Sequence, residues 1–421
     1  MDKPYTTYEQ QIHILESKGL RIDDKEKAIH ILKKCGYYSL INGYKNLFKK
    51  GEKYIIHSSI NDIYSLYKFD KELRELFLRY ILIVENELKS LVSYAFCDKY
   101  GEAEEAYLDT SNYNYINKNQ DKINYLIDTV FKKRTSDKRI EKYPYLNYQK
   151  KKHGNVPLWA LLHTVTFGNV SQMYSLLDSS VQSRICKEFK CKDERHLRVM
   201  LDFIVRIRNV CAHNERLYDY KYNKRGIPYT ELHKELGINM KNSVPRYGEK
   251  DLYAAVISLG YLLDTNDFIE LVERIDKLVS VFTSQCRIVP SDLLLRKMGF
   301  PENWREIKRI VEKDSDSTDC AKAILRDEYY DFCCKQMEKD GYSTTKSNVE
   351  TAVRDTFYLD RNLDTDFKTW FESEEKLQLA KQKVTECLIK ANRKKSNLRF
   401  DIQYYWRLLD YYYAFIHMRK R

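Results

Sequence analysis

Glycine and proline are scarce in this chain, 13 and 7 among 421 residues, and long stretches hold neither. A β-sandwich, or an α/β fold with glycine-rich turns, needs more of both, so their scarcity points to helix. The ten cysteines include no CxxC pair. One local Cys/Cys/His cluster, CKEFKCKDERH at 186–196, fits no common zinc spacing, and no metal or organic cofactor is expected. Scattered thiols of this kind suit a reducing, cytoplasmic setting. No apolar run is long enough to span a bilayer, and MDKPYTTYEQQIHILESKGL lacks a signal-peptide core. Neither secretion nor membrane insertion is expected.

Charge is plentiful instead. Charged residues make up 32% of the chain and the formal net charge is +12, a balance that suits a polyanionic partner. Residues 7–50 read as two helices around a short turn. From Ile60 to Tyr100, apolar residues recur at 3–4 spacing (Leu66, Phe69, Leu73, Phe77, Tyr80, Val84, Leu88), predicting one long amphipathic helix. Residues 101–156 are polar and tyrosine-rich. Helices are expected after VPLW, up to about Phe189, from about His196, and over 251–282, with an irregular excursion at 220–250. KDSDSTDC at 313–320 reads as a linker between a domain at 1–312 and a helical module at 321–421. The fold class is all-α.

RIRNVCAHNERLYD (206–219) gathers unusual polar chemistry. On a continuous helix at about 100° per residue with Arg208 at zero, Arg216 falls near 80°, Asn209 near 100° and His213 near 140°. Phe203, Ile204, Ile207, Val210, Cys211 and Leu217 occupy the opposite, apolar arc. Asn209 and His213 are then i,i+4 neighbours, within hydrogen-bonding reach. Histidine can take and give a proton near neutrality. Arginine's fork binds phosphate oxygens in pairs, and RNA carries its own 2′-hydroxyl nucleophile. Arg208 and His213 therefore supply half of a metal-free RNA-cleaving site, and a dimer partner would supply the rest. A solvated helix face is the alternative reading of the same arc.

The run RNVCAHNERLYD resembles the R-N-x-x-A-H-x-x-R-L signature of the Abi-like family, the AbiD/AbiF abortive-infection proteins of bacteria, within the HEPN superfamily of helical ribonucleases. CGYYSLINGY (35–44), VPLWALLHTVTFGNVSQMY (156–174) and MGFPENW (298–304) resemble three further boxes of that family, in order, so the likeness spans about 5–305. It implies an HEPN-type helical bundle with Arg208 and His213 as the R-x4-H pair. Arg208 would hold phosphate, His213 would act as acid or base, and Asn209 would orient the histidine or contact RNA. Arg216 would be a salt-bridging or substrate-contacting residue. Glu85 resembles the acidic residue of the family's long helix, fixing an arginine of the motif or simply exposed. Asn214–Glu215 departs from relatives, which often carry His-Ser. Trp159, Phe167, Phe300 and Trp304 are expected to be core, and Gly168 and Gly299 to be turn or helix-end residues.

Residues 132–152, KKRTSDKRIEKYPYLNYQKKK, hold nine Lys/Arg against two acids, with Tyr143, Tyr145 and Tyr148 interleaved. Cations for phosphates and rings for bases suit single-stranded nucleic acid, with a solvated, mobile loop as the rival. The candidate RNA-binding residues are Lys132, Lys133, Arg134, Lys138, Arg139, Tyr145, Tyr148, Lys150, Lys151 and Lys152. Within the module, 328–362 and the aromatic stretch 398–416 resemble the helical core-binding module of tyrosine recombinases; a nucleic-acid-binding or regulatory role and plain dimerisation both fit. The expectation is a homodimeric, metal-independent endoribonuclease of phage defence acting on RNA, with a small regulatory RNA and an antitoxin as further candidate partners. A non-catalytic RNA-binding protein and a DNA-binding regulator are the alternatives.

Overall fold

The computed structural model describes residues 5–224, 226–241 and 244–312, and beyond them 332, 335–339, 373–391, 402–403, 406–407, 409–411 and 413–414. Two compact units divide the chain, Met1–Glu312 and Lys313–Arg421. The expected linker at 313–320 and most of the following module, including nearly all of 328–362, lie outside the described residues. The fold is all-α. Among the described residues its strands are two antiparallel pairs, Lys49–Lys50 with Lys53–Tyr54 and Met240–Lys241 with Val244–Pro245.

The first unit opens with α1 (Tyr8–Ser17) and α2 (Lys25–Cys35), followed by short π and 3-10 turns that carry Tyr38–Phe48. Next comes α3 (Ile60–Tyr100), 41 residues without glycine or proline and about 60 Å long at 1.5 Å per residue. Ser59 and Asp62 start it with a reciprocal capping box, and Gly101 at φ 89° ends it. Five short helices follow: α4 (Glu104–Leu108), α5 (Gln120–Asn124), α6 (Lys132–Thr135), α7 (Asp137–Ile140) and α8 (Pro144–His153). The tyrosine-rich stretch is therefore largely helical, not a loop, because Tyr107, Tyr113, Phe131 and Leu146 are buried anchors spaced along it.

The chain continues through α9 (Leu158–Leu162), α10 (Phe167–Leu176), α11 (Ser179–Cys186), α12 (Glu194–Ala212) and α13 (Glu231–Glu235). The expected helix at 251–282 is two, α14 (Leu252–Leu262) and α15 (Thr265–Gln285), because Asp264 caps a new helix by accepting from the Asp267 N–H. Helix α16 (Ser291–Met298) follows and stops at Gly299, φ 82°. Helix α3 is the spine, with α9, α10, α11, α12 and α15 packed along it. Helix α14 is apolar all round and buried on nearly every side, as a helix of that composition must be. It packs on α12. Among the described residues no helix is long and apolar enough to cross a membrane.

The closing MGFPENW box locks α16 to α14. A Cβ on Gly299 would lie 2.2–2.5 Å from the Asp251 side chain, and the residue's left-handed backbone also demands glycine. Phe300 and Trp304 are buried, as expected of core.

Buried His233 makes an acid-sensitive point. Its Nδ1 accepts from the Thr230 N–H at 3.1 Å, so Nε2 carries the proton and donates to the Gly248 carbonyl at 3.0 Å. Burial pushes its pKa down to about 4. The unfolded chain, titrating near 6.5, therefore takes up the proton first as pH falls. Stability from this site is whole above about pH 6.5 and is lost on descent through 4, about 3 kcal/mol in all. Denaturant unfolding between pH 7.5 and 4.5 should show this slope, and His233→Gln should flatten it. An unchanged slope in the variant would assign the acid sensitivity to other groups.

Candidate active site

Asp193 starts α12 by accepting from the His196 N–H at 2.7 Å, and Leu197, Met200, Leu201, Ile204, Ile207 and Val210 bury one face. The helix ends sooner than a continuous wheel through Arg216 requires. Ala212 is its last residue and His213 its C-cap. The Asn214 N–H donates to the Cys211 carbonyl at 3.3 Å and the Glu215 N–H to the Val210 carbonyl at 3.0 Å, which is the Schellman arrangement. It needs a left-handed residue just past the cap. Asn214 fills that place at φ 57°, one of the few side chains that tolerate it. Asparagine after the histidine was thus a stop signal legible in the sequence.

The polar arc survives in part. Arg208 is half-buried, while Asn209 and His213 are exposed. Asn209 and His213 are joined through backbone, the His213 N–H donating to the Asn209 carbonyl at 2.9 Å. Among the described residues no hydrogen bond links their side chains. Glu85 is not an ordinary exposed glutamate. Its side chain is 7% exposed, and Oε1 accepts from Lys89 Nζ at 2.7 Å. The other oxygen, Oε2, faces Arg208 Nε at 3.8 Å. That is a charge contact too long for a hydrogen bond, and neither atom has a hydrogen-bonding partner. Glu85 thus attracts the guanidinium without taking up its donors, and the fork stays available to an anion.

A second buried centre lies fifteen residues earlier on α3. Asp70 is fully buried. Its carboxylate accepts from the backbone N–H of Tyr218 at 2.7 Å and of Leu217 at 3.2 Å, from the Tyr44 hydroxyl at 2.7 Å, and from Arg74 Nη1. Arg74 Nη2 donates onward to Asn214 Oδ1 at 2.7 Å. Burial pushes the Asp70 carboxyl upward, against the opposing pull of Arg74, the Tyr44 hydroxyl and the two backbone groups. Burial and the neighbouring carboxylate push the Tyr44 hydroxyl far up, so it stays protonated and donates. Asp70, Arg74, Tyr44 and Lys89 were all missed from sequence. The signal was there: Asp70, Arg74, Glu85 and Lys89 are charges inside the apolar stripe of α3.

Arg216 lies beyond the helix. It donates to the Gly43 carbonyl at 2.6 Å and to Asp219 at 2.5 Å, bracing the turn against the Tyr44 segment. The basic stretch also divides. Lys132 pairs with Asp128 and Lys150 with Glu104. The Arg134 guanidinium serves the Val130 and Thr164 carbonyls, each at 2.9 Å, and Lys152 lies over the Tyr148 ring. Lys133, Lys138, Arg139 and Lys151 are exposed, and among the described residues no ion pair or hydrogen bond engages their side chains. Tyr145 and Tyr148 are exposed, and Tyr143 packs partly against the core. Phe167 is core, but Trp159 is 50% exposed, contrary to expectation. Only the other residues of α9 turn inward.

The family model described as Abi-like protein matches residues 30–219. That span takes in the Tyr44 segment, α3, the PLW box and the motif turn, and leaves out MGFPENW. Neither the curated proteins nor the solved structures contain a match to the chain.

Removing Asp70 should be costly, because Arg74 would remain buried without its counter-charge. Asp70→Ala is expected to lower unfolding free energy by about 3–5 kcal/mol, and Tyr44→Phe by about 1 kcal/mol. Urea titration at pH 7 measures both. A loss under about 1 kcal/mol for Asp70→Ala would show that the network is solvated and does not carry the turn.

Proposed function

We propose that this chain, similar over residues 30–219 to the Abi-like protein family, is a metal-independent endoribonuclease of HEPN type, acting as an abortive-infection effector. The observation that carries the reading is the end of α12. There Arg208, steered by buried Glu85, and exposed His213 at the C-cap share one helix end beside a turn anchored to α3.

In this reaction His213 takes the proton of a ribose 2′-hydroxyl as that oxygen attacks the adjacent phosphorus. Negative charge grows on the non-bridging oxygens, and the Arg208 fork binds them. The P–O5′ bond breaks, and the leaving 5′-oxygen needs a proton. The His213 of a second copy, brought across a two-fold axis, supplies it. The products are a 2′,3′-cyclic phosphate and a 5′-hydroxyl. Asn209, exposed one turn before His213, is placed to contact the substrate. Arg216, held by Gly43 and Asp219, acts on the turn rather than on RNA.

Cleavage of unstructured RNA in EDTA should fall about 10²- to 10⁴-fold or more in His213→Ala and in Arg208→Ala, with circular dichroism unchanged. Glu85 keeps Lys89 as its partner in the second variant, so the fold should hold. A 3′-hydroxyl product, or activity abolished by EDTA, would sink the mechanism. RNA bound tightly but never cut would leave a non-catalytic RNA-binding protein, and preference for duplex DNA would favour a regulator.

The composite site makes its own demand. Each site draws His213 from both copies, so a dimer with one His213→Ala copy lacks its acid or its base, and excess His213→Ala protein should suppress cleavage by the parent as subunits exchange. A strict monomer by light scattering that still cuts RNA would refute the pairing.

A further inference from the structure

A single exposed apolar side chain needs no explanation by itself. Trp159 differs because of what surrounds it. Helix α9 buries Leu158, Ala160, Leu161 and Leu162, and turns outward only Trp159 and, one turn on at its C-cap, His163. The other tryptophan of the first unit, Trp304, is wholly buried. The basic helices bracket this outward face. Arg134 of α6 donates to the Thr164 carbonyl just past α9, which pins α6 to that end. Helix α8, with Lys151, Lys152 and exposed Tyr145 and Tyr148, packs on α9, and α7 joins α6 to α8. Lys132, Arg134, Lys150 and Lys152 are tied to protein groups, whereas Lys133, Lys138, Arg139 and Lys151 have no such tie among the described residues.

From this arrangement we propose that Trp159 is a stacking platform for the bases of single-stranded RNA, with the free cations of α6, α7 and α8 tracking the backbone. The identity of the ligand as substrate rests on the nuclease reading; the binding site itself does not. Charge decides the class of ligand: nine Lys/Arg against two acids in 132–152 repel a basic peptide and attract phosphates. Rings decide the form. A base inside a duplex has no open face to offer, whereas an unpaired base stacks on indole irrespective of its identity. Tyr148, whose hydroxyl accepts from Lys152 Nζ at 2.6 Å, is a second exposed ring, on the helix that packs against α9.

The experiment measures binding of a fluorescein-labelled unstructured RNA 20-mer to the full chain by anisotropy, in EDTA and in a His213→Ala background. Trp159→Ala should raise Kd about 5- to 100-fold, and Trp159→Phe should recover most of the loss. The slope of log Kd against log salt should stay the same in Trp159→Ala. It should shrink by about 0.7 in Lys133→Ala or Lys151→Ala, because only the cations release counterions. Affinity within twofold of the parent, or an equal loss for duplex RNA of the same sequence, would overturn the platform. So would a Trp159→Ala protein whose only change, by light scattering, is its oligomeric state. Protein carrying His213 that binds in this way yet never cuts would uphold the platform while removing the nuclease reading.

Discussion

The Asp70 carboxylate joins three distant parts of the chain at one buried point. It is held by a tyrosine from the segment before α3, an arginine one turn along its own helix, and two backbone N–H groups from the turn after α12. A buried charge of this kind is tolerable only when its lone pairs are satisfied. That requirement makes the network all-or-none. The turn cannot drift from α3 without exposing the carboxylate to an apolar core with no partners. Whatever His213 does, it does from a helix end followed by three residues, Asn214, Leu217 and Tyr218, that are bonded to the spine of the molecule.

The spine sets the spacing of the site. Asp70 and Glu85 are fifteen residues apart on α3, about 22 Å along its axis. Arg208 meets Glu85, and the residues after it meet Arg74 and Asp70, so α12 runs antiparallel along α3. One helix thus presents two acidic contacts to the same neighbour. The first steers a guanidinium without consuming its donors, and the second immobilises a turn. The two contacts differ in hydrogen bonding: Asp70 is saturated, whereas Glu85 leaves one oxygen without a hydrogen bond. A rigid anchor beside a loosely held cation is an arrangement suited to meeting a phosphate at one defined place.

Function and packing share the basic stretch in the same divided way. Lys150, Lys132 and Arg134 look, in sequence, like their neighbours Lys151, Lys133 and Arg139. Partners separate them: the first three meet Glu104, Asp128 and two carbonyls, while the others meet solvent. The exposed ones carry the outward charge of the stretch, and the tied ones hold α6 and α8 in place.

Local pattern alone determined a good deal of this protein. The apolar period of α3 was readable because 41 residues without glycine or proline leave no competing conformation, and Ser59 and Gly101 mark its ends. The apolar stripe of α12 and the place of Arg208 and Asn209 opposite it follow from the same periodicity, and apolar contexts marked Phe167, Phe300 and Trp304 as core. Tertiary structure decided what periodicity cannot express. The turn after α12 has its fixed place because the Asn214 side chain is held by Arg74, 140 residues away in sequence. Arg216 leaves the arc for the Gly43 carbonyl, and Glu85 is buried because α12 covers it. Trp159 faces out because its helix already fills the core with four other side chains. Each of these depends on a partner far away in the chain, and a helical wheel records only neighbours within a few turns.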